Sequence, residues 1–570
     1  MILKRNERHF LPENFDLNNW DDLKPFYQDL DQRIIKSSND FSKWLQDKSE
    51  LDAYISENLA WRYIKMTIDT SNQKYLDSYQ YFVTKIQPEI MPFDNLLNIK
   101  LSNSPYIADL GLSKEYEIYF RSIQTQLQLY KEENIPIQTE LSEMSQKYGA
   151  ISGAQSIEYD GNEITIQKAN LYLKEPDESI RIDVYNKIVY RKKQDFKKLD
   201  DLFSDLIKKR HQLALNAGFE NFRDYKFKSM GRFDYSMQDC FDFHDSVENN
   251  IVPLVKKIQL EKLNKLDKTK FKPWDTSVDP EGRQALKPFK DVKELLKGTI
   301  LMLDNIDPYF ADCIASMDEM GHLDLDSKKG KSPGGYNYPL YEIGVPFIFM
   351  NAVGSHRDLI TMIHEGGHAI HSFLTRDLNL TSFKDVPSEV AELASMSMEL
   401  LTIKNWDVFY SNKNDLSRAI KEHLEDILKV LPWIAQIDAF QHWIYENPNH
   451  TSDDRSQYWV QLCNRFGTGL TDWDGYEDVL SNSWQGQLHL FEVPFYYIEY
   501  GIAQLGAIGI WKNSKLHYDK AINDYKSALS LGYTKTIPEI YKMGGVRFDF
   551  SNQYIKELSD FVWNEIQKLK

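Results

Sequence analysis

Apolar residues recur at helical spacing through most of this chain. From Phe196, the positions Leu199, Leu202, Phe203, Leu206, Ile207, Leu213 and Ala214 keep near the spacing of one helix face, and Gly218 then supplies a stop signal. The segments around 20–60, 110–150, 240–265 and 415–440 read the same way. Strand-like stretches are few: 156–159 with 163–167, and 345–351. Two loop-rich regions interrupt the helices. One spans about 267–288, with Pro273, Pro280, Gly282 and Pro288; the other spans 321–339 and contains Ser332-Pro333-Gly334-Gly335-Tyr336. The pattern predicts a mainly α protein with a small β-sheet, an N-terminal helical lobe over 1–195 and a second region over 196–570.

Composition narrows the function. The chain has 570 residues and 42% hydrophobic content, enough for large cores and more than one lobe. Its 33 Tyr, 30 Phe and 12 Trp suit either a concave interior that grips a ligand by ring contacts or ordinary aromatic cores. A net charge of −17 disfavours nucleic acid as a partner, and the short run Lys328, Lys329 and Lys331 reads as a solvated loop. The three cysteines, Cys240, Cys313 and Cys463, are widely spaced and form no Cys-x-x-Cys pair. The N-terminus turns charged before a signal-length apolar stretch can form, and no run of 18 uncharged apolar residues occurs. The expectation is a cytoplasmic protein with no membrane attachment.

The chemistry concentrates between Gly354 and His371. Ser355 followed by Asp358 has the form of a capping box, so a helix is expected to start there. On that helix His364 and His368 lie one turn apart on one face, the spacing at which two imidazoles share a zinc ion. Glu365 sits beside them, placed to take a proton from a zinc-bound water. With 13 His in the chain, a chance His-Glu-x-x-His is expected on the order of 0.02 times. His371 is also near this face, but it lies seven residues from His364, roughly 10.5 Å along the axis, too far for all three to converge. The third ligand is expected from the segment 385–399, where Glu389, Glu392 and Glu399 lie near one face among small Ala and Ser residues. Spacing alone does not choose between Glu389 and Glu392.

Several blocks together resemble the thimet oligopeptidase and oligoendopeptidase F family of zinc metallopeptidases, nearest its bacterial, Pz-peptidase-like branch. They are Gly330-Lys331-Ser332-Pro333-Gly334-Gly335-Tyr336, Pro346-Phe347-Ile348-Phe349-Met350-Asn351, the His364–His368 motif, Ala391-Glu392-Leu393-Ala394-Ser395, and Trp484 to His489 with Pro494 to Gly501. The resemblance covers about 320–510; the N-terminal half matches only in helical character. It implies Glu392 as the third ligand to one zinc ion and Glu399 as the carboxylate that orients a ligand histidine. It also implies helical lobes around a deep channel that admits oligopeptides. Two departures stand out. Asn337 replaces a Cys common among relatives, which is expected to alter thiol sensitivity and not catalysis. Gly366-Gly367 replaces a large apolar residue before the second Gly, weakening the helix by roughly 1 kcal/mol per glycine and leaving room beside the metal.

The expected activity is zinc-dependent endopeptidase hydrolysis of oligopeptides, with Glu365 activating the water and then protonating the leaving amine. The block from His489 to Tyr500 offers donors to the oxyanion; the resemblance favours Tyr500 and His489, followed by Tyr496 and Tyr497. Substrate backbone is expected to add as a strand along Val345, Phe347, Phe349 and Asn351, with Gly334, Gly335 and Tyr336 forming a mobile loop opposite. The rivals are a zinc carboxypeptidase or peptidyl-dipeptidase, a zinc hydrolase of non-peptide substrates, and a non-enzymatic peptide-binding helical protein.

Overall fold

A computed structural model of the protein describes residues 3–110 and 114–569. The elements that matter here are helices α1 (Ser38–Ile68), α2 (Phe196–Asn216), α3 (Met237–Asn250), α4 (His356–Thr375), α5 (Ser388–Thr402), α6 (Lys413–Glu446) and α7 (Tyr497–Leu516). The strands are β1 (Ser156–Tyr159), β2 (Asn162–Thr165), β3 (Leu323–Asp326), β4 (Tyr336–Tyr338) and β5 (Phe347–Ala352). The protein is mainly α, with one two-stranded and one three-stranded sheet among the described residues, neither closed. Among the described residues no helix is long and apolar enough to cross a membrane.

Helix α2 shows how pattern becomes packing. Leu199, Phe203, Leu206, Ile207, Leu213 and Ala214 are all buried, Leu202 is half-buried, and the helix ends before Gly218 at φ +82°. The same buried face carries Arg210, whose guanidinium donates to the Tyr445 hydroxyl at 2.7 Å and the Leu490 carbonyl at 2.9 Å. Strands β1 and β2 form an antiparallel hairpin closed by Asp160 and Gly161, both at positive φ, as a two-residue turn requires.

Contacts divide the chain into two compact units built from non-consecutive segments. The first comprises Met1–Ile135, Leu286–Ile420 and Ile502–Phe548; the second comprises Pro136–Ala285, Lys421–Gly501 and Asp549–Lys570. These divisions follow packing rather than chain order.

In the first unit the three-stranded sheet has the order β3-β5-β4, with β5 parallel to β3 and antiparallel to β4. Strands β3 and β4 lie in the stretch expected to be loop. They are four and three residues long, too short to show a period between glycines and prolines. Phe347 and Phe349 turn to α1, where they cluster with Ala60 and Ile64 and contribute about 1.5–3 kcal/mol each by burial. Tyr336 stacks on Phe349 at 4.9 Å, and its hydroxyl meets Thr67 Oγ1 at 2.6 Å. Lys331 is not solvated as its neighbours suggested. Its side chain is 1% exposed and its ammonium bonds the Asp324 carboxylate and the Asp326 and Met350 carbonyls, over the ring of Phe349.

The expected docking of substrate along 345–351 is corrected by this sheet. β5 is the inner strand, hydrogen-bonded on both sides, and Val345, Phe347 and Phe349 are buried in the core. Asn351 ties the preceding loop instead, donating to the Ser332 carbonyl at 2.8 Å and the Gly334 carbonyl at 2.9 Å. Tyr336 is likewise part of β4, packed against α1 and Phe349 rather than carried on a free loop.

Candidate active site

Helix α4 begins where the sequence places it. Ser355 Oγ accepts from the Asp358 amide at 3.2 Å, and the Asp358 carboxylate accepts from the Ser355 amide at 2.8 Å. Two turns on, His364 and His368 present their rings side by side, centroids 4.9 Å apart. Helix α5 packs directly across α4. The approach is close because Gly367 faces it: a Cβ there would lie 2.6 Å from Ser395 Cα and 2.8 Å from the Ala394 carbonyl oxygen. The space beside Gly367 is therefore filled by the α5 backbone. Gly366 has ordinary room, with Ile314 Cδ1 at 3.8 Å from the same built atom.

This packing carries Glu392 to the two histidines. Its Oε2 lies 3.3 Å from His364 Nε2 and 3.7 Å from His368 Nε2, and one donor atom from each of the three lies within 4.8 Å of the others. Ser395 Oγ donates to Glu392 Oε2 at 3.2 Å and so orients the carboxylate. Glu389, buried on the same helix, is outside this triad. Glu399 accepts from His364 Nδ1 at 2.6 Å, and His368 bonds the Ala391 carbonyl. Both histidines therefore have their second ring nitrogen fixed, which leaves the Nε2 atoms pointing at Glu392. His371 is buried one turn beyond, hydrogen-bonded to the Leu529 backbone, and takes no part in the triad.

The electrostatics suit a cation. Burial disfavours charge on His364, yet its bonds to Glu392 and Glu399 outweigh this and raise its pKa well above the usual 6.5. The two carboxylates thus draw positive charge into the triad. Burial holds His368 down at about 4, so it stays neutral and able to ligate. Glu365, 6% exposed, is pushed up to about 7 by burial, with the Glu392 charge adding to the effect. A set of two imidazoles and one carboxylate with their outer atoms already bonded fits a zinc ion with an open position.

One contributor was missed. Alternation along β4 sends Tyr336 and Tyr338 to α1 and Asn337 to α4, where its amide donates to the Glu365 carbonyl at 3.3 Å and its backbone N–H faces the Glu365 carboxylate. The signal was the Tyr-Asn-Tyr alternation, hidden because the segment reads as loop.

In the second unit, His489, Tyr496, Tyr497 and Tyr500 form one cluster. His489 Nε2 lies 3.4 Å from the Tyr500 hydroxyl, its ring is 4.9 Å from Tyr497, and Tyr496 is 5.2 Å from Tyr500. Gln487 Nε2 sits 2.7 Å from His489 Nδ1. Just before α7, Phe495 adopts φ +67°, a left-handed conformation that is strained for an aromatic residue. It is clamped on both sides: Gln441 Oε1 accepts its N–H at 2.6 Å, and Arg232 bonds its carbonyl and the Glu499 carboxylate.

A helix-borne His-Glu-x-x-His joined by a carboxylate from a packed neighbouring helix is the donor arrangement of metal-dependent hydrolases. The chain belongs to peptidase family M3: residues 171–560 match that family and residues 10–130 match its N-terminal domain. Among solved structures it is similar to a Pz peptidase A with inhibitor, at 26% identity and a TM-score of 0.91, over 97% of this chain and 98% of that one. It is also similar to an oligoendopeptidase F homolog of Borreliella burgdorferi, 22% identical over 66% of this chain and 63% of the relative. The chromosomal oligoendopeptidase F of Lactococcus lactis subsp. cremoris is 36% identical over 14% of this chain and 13% of its own length. The alignments thus span less than two thirds of these two relatives.

Proposed function

We propose that this protein is a zinc-dependent endopeptidase that hydrolyses internal bonds of oligopeptides. The observation that carries the reading is the convergence of His364, His368 and Glu392 beside a buried Glu365, in a chain of peptidase family M3. His364, His368 and Glu392 would hold the ion, which when bound would polarise the scissile carbonyl and make the attacking water more acidic. Glu365, poised near neutrality by burial, takes the proton from that water and passes it to the leaving amine. Asn337 steadies Glu365 from β4, and Glu399 fixes the ring of His364. Tyr500 and His489, with Tyr496 and Tyr497, are assigned as donors to the developing oxyanion, a role supported by the likeness of their block to the family.

The substrate backbone would pair not with β5 but with β4, which pairs with β5 on one side and has no strand on the other among the described residues. An extended peptide along that edge would pass Asn337 and the exposed Gly334, next to Glu365. The deciding experiment is cleavage of internally quenched, end-blocked peptides of graded length by wild type and Glu365→Gln. Internal cleavage by wild type, reduced about 10²–10⁴-fold in a variant that keeps its zinc, is the expected result. Cleavage of free-C-terminus peptides alone would make it an exopeptidase, and full activity of the variant would remove Glu365 from the mechanism.

A further inference from the structure

We infer that the second unit holds a metal site of its own, formed by Cys240, Asp438 and His442 with His244, and that it takes zinc or a similar thiolate-binding dication. Helix α3 carries Cys240 and His244, and α6 carries Asp438 and His442; each pair is spaced i, i+4 and so shares one helix face. The two faces meet. His244 Nε2 donates to Asp438 Oδ2 at 2.8 Å, His442 Nε2 lies 3.3 Å from the same oxygen, and one donor atom from each of Cys240, Asp438 and His442 lies within 4.8 Å of the others. Ligand atoms bonded to zinc at 2.0–2.3 Å stand about 3.3–3.8 Å apart, so small side-chain movements would close the set.

The surroundings leave the Asp438 carboxylate short of positive charge, and atoms of Asp438 and His442 short of partners, among the described residues. All four residues are at most 2% exposed. Asp438 Oδ1 and His442 Nδ1 are buried with no hydrogen-bond partner among the described residues, an arrangement that costs about 1–3 kcal/mol per atom. No Lys or Arg pairs with Asp438 among the described residues, and the rings of Phe241, Phe495 and Phe466 wall the cluster. His244 occupies one carboxylate oxygen, which leaves Oδ1 for a cation. A thiolate, a carboxylate and an imidazole in a dry aromatic pocket select zinc over magnesium or calcium, and because the pocket shuts out solvent and substrate the ion would be structural rather than catalytic. On binding, Cys240 releases its thiol proton and forms the metal–sulfur bond. The ion would pin α3 to α6 beside Gln441, whose side chain holds Phe495 in its left-handed conformation.

The inference is independent of the peptidase reading, because the His364–His368–Glu392 set contains no sulfur. Metal analysis of the full-length protein loaded with zinc is expected to give a second equivalent beyond the one at His364. Cobalt-loaded wild type is expected to show thiolate-to-cobalt absorption in the near ultraviolet. Cys240→Ser should lose that band and one equivalent, whereas Glu392→Ala should keep the band. A cobalt-loaded wild type without the thiolate band would overturn the proposal, as would a band that survives in Cys240→Ser. The wild-type spectrum requires no variant, so poor folding of Cys240→Ser would not shelter the proposal.

Discussion

The proton on His364 is the most informative single charge in the first unit. Glu392 and Glu399 raise its pKa well above 6.5 against the pull of burial, so near neutral pH the metal-free imidazole is protonated. A metal must displace that proton. Affinity should therefore rise with pH up to the raised pKa and level off above it, by about tenfold per pH unit for one proton released. Competition titrations with a chelator between about pH 6 and 8 would show this slope, and a flat profile would mean that His364 binds metal from its neutral form. Glu399→Gln should flatten the slope and weaken zinc binding about 10–100-fold, because the amide no longer stabilises the protonated ring or polarises the neutral one. At this scale the sequence made legible that His364, Glu365 and His368 share one turn of α4, because their spacing is local. Glu389 and Glu392 could not be separated by spacing, since both lie on the buried side of α5; only the packing of α5 on α4 decides which carboxylate reaches the imidazoles.

Between elements, the adjacent glycines of α4 make opposite predictions. Gly367→Ala places a methyl 2.6 Å from Ser395 Cα, a backbone atom that cannot yield without moving α5. It should cost about 1–3 kcal/mol and shift Glu392 away from the histidines, seen as a lower Tm together with weaker zinc binding. Gly366→Ala meets only Ile314 Cδ1 at 3.8 Å and should be neutral or stabilising by up to about 1 kcal/mol. Equal losses from the two would show that helix propensity, not the approach of α5, sets the requirement. Long elements were readable because a 3.6-residue period repeats several times within them, as in α2 and α6. The sheet was not. A four-residue strand and a three-residue strand carry no usable period, and β5 looked like an edge because its partners β3 and β4 were invisible. Lys331 was misplaced for a related reason: charge suggests solvent, while its carbonyl and carboxylate partners exist only once β3 and β5 pair.

At the scale of the whole molecule, each unit is closed by chain that returns from far away, and this is the organisation a linear reading misses. Residues 502–548 rejoin the first unit about a hundred residues after α5, and two tyrosines in that stretch reach it. Tyr525 donates to the Ala394 carbonyl at 2.7 Å and Tyr541 to the Glu389 carbonyl at 3.0 Å, both fully buried. Glu392 lies between these anchors on α5, so the returning segment holds the helix that supplies the third donor. Each hydroxyl is worth about 0.5–1.5 kcal/mol, and because the anchors act on one helix their losses should reinforce each other. The variant Tyr525→Phe/Tyr541→Phe is therefore expected to lose about 1–3 kcal/mol in denaturant unfolding and to bind zinc more weakly than wild type. Tyr27→Phe, which removes a buried hydroxyl bonded to Asp94 elsewhere in the same unit, controls for general destabilisation. If the double variant and this control weaken zinc binding equally, the returning segment stabilises the unit without positioning Glu392; a loss confined to the double variant would establish that residues 502–548 position the metal site from a distance in sequence.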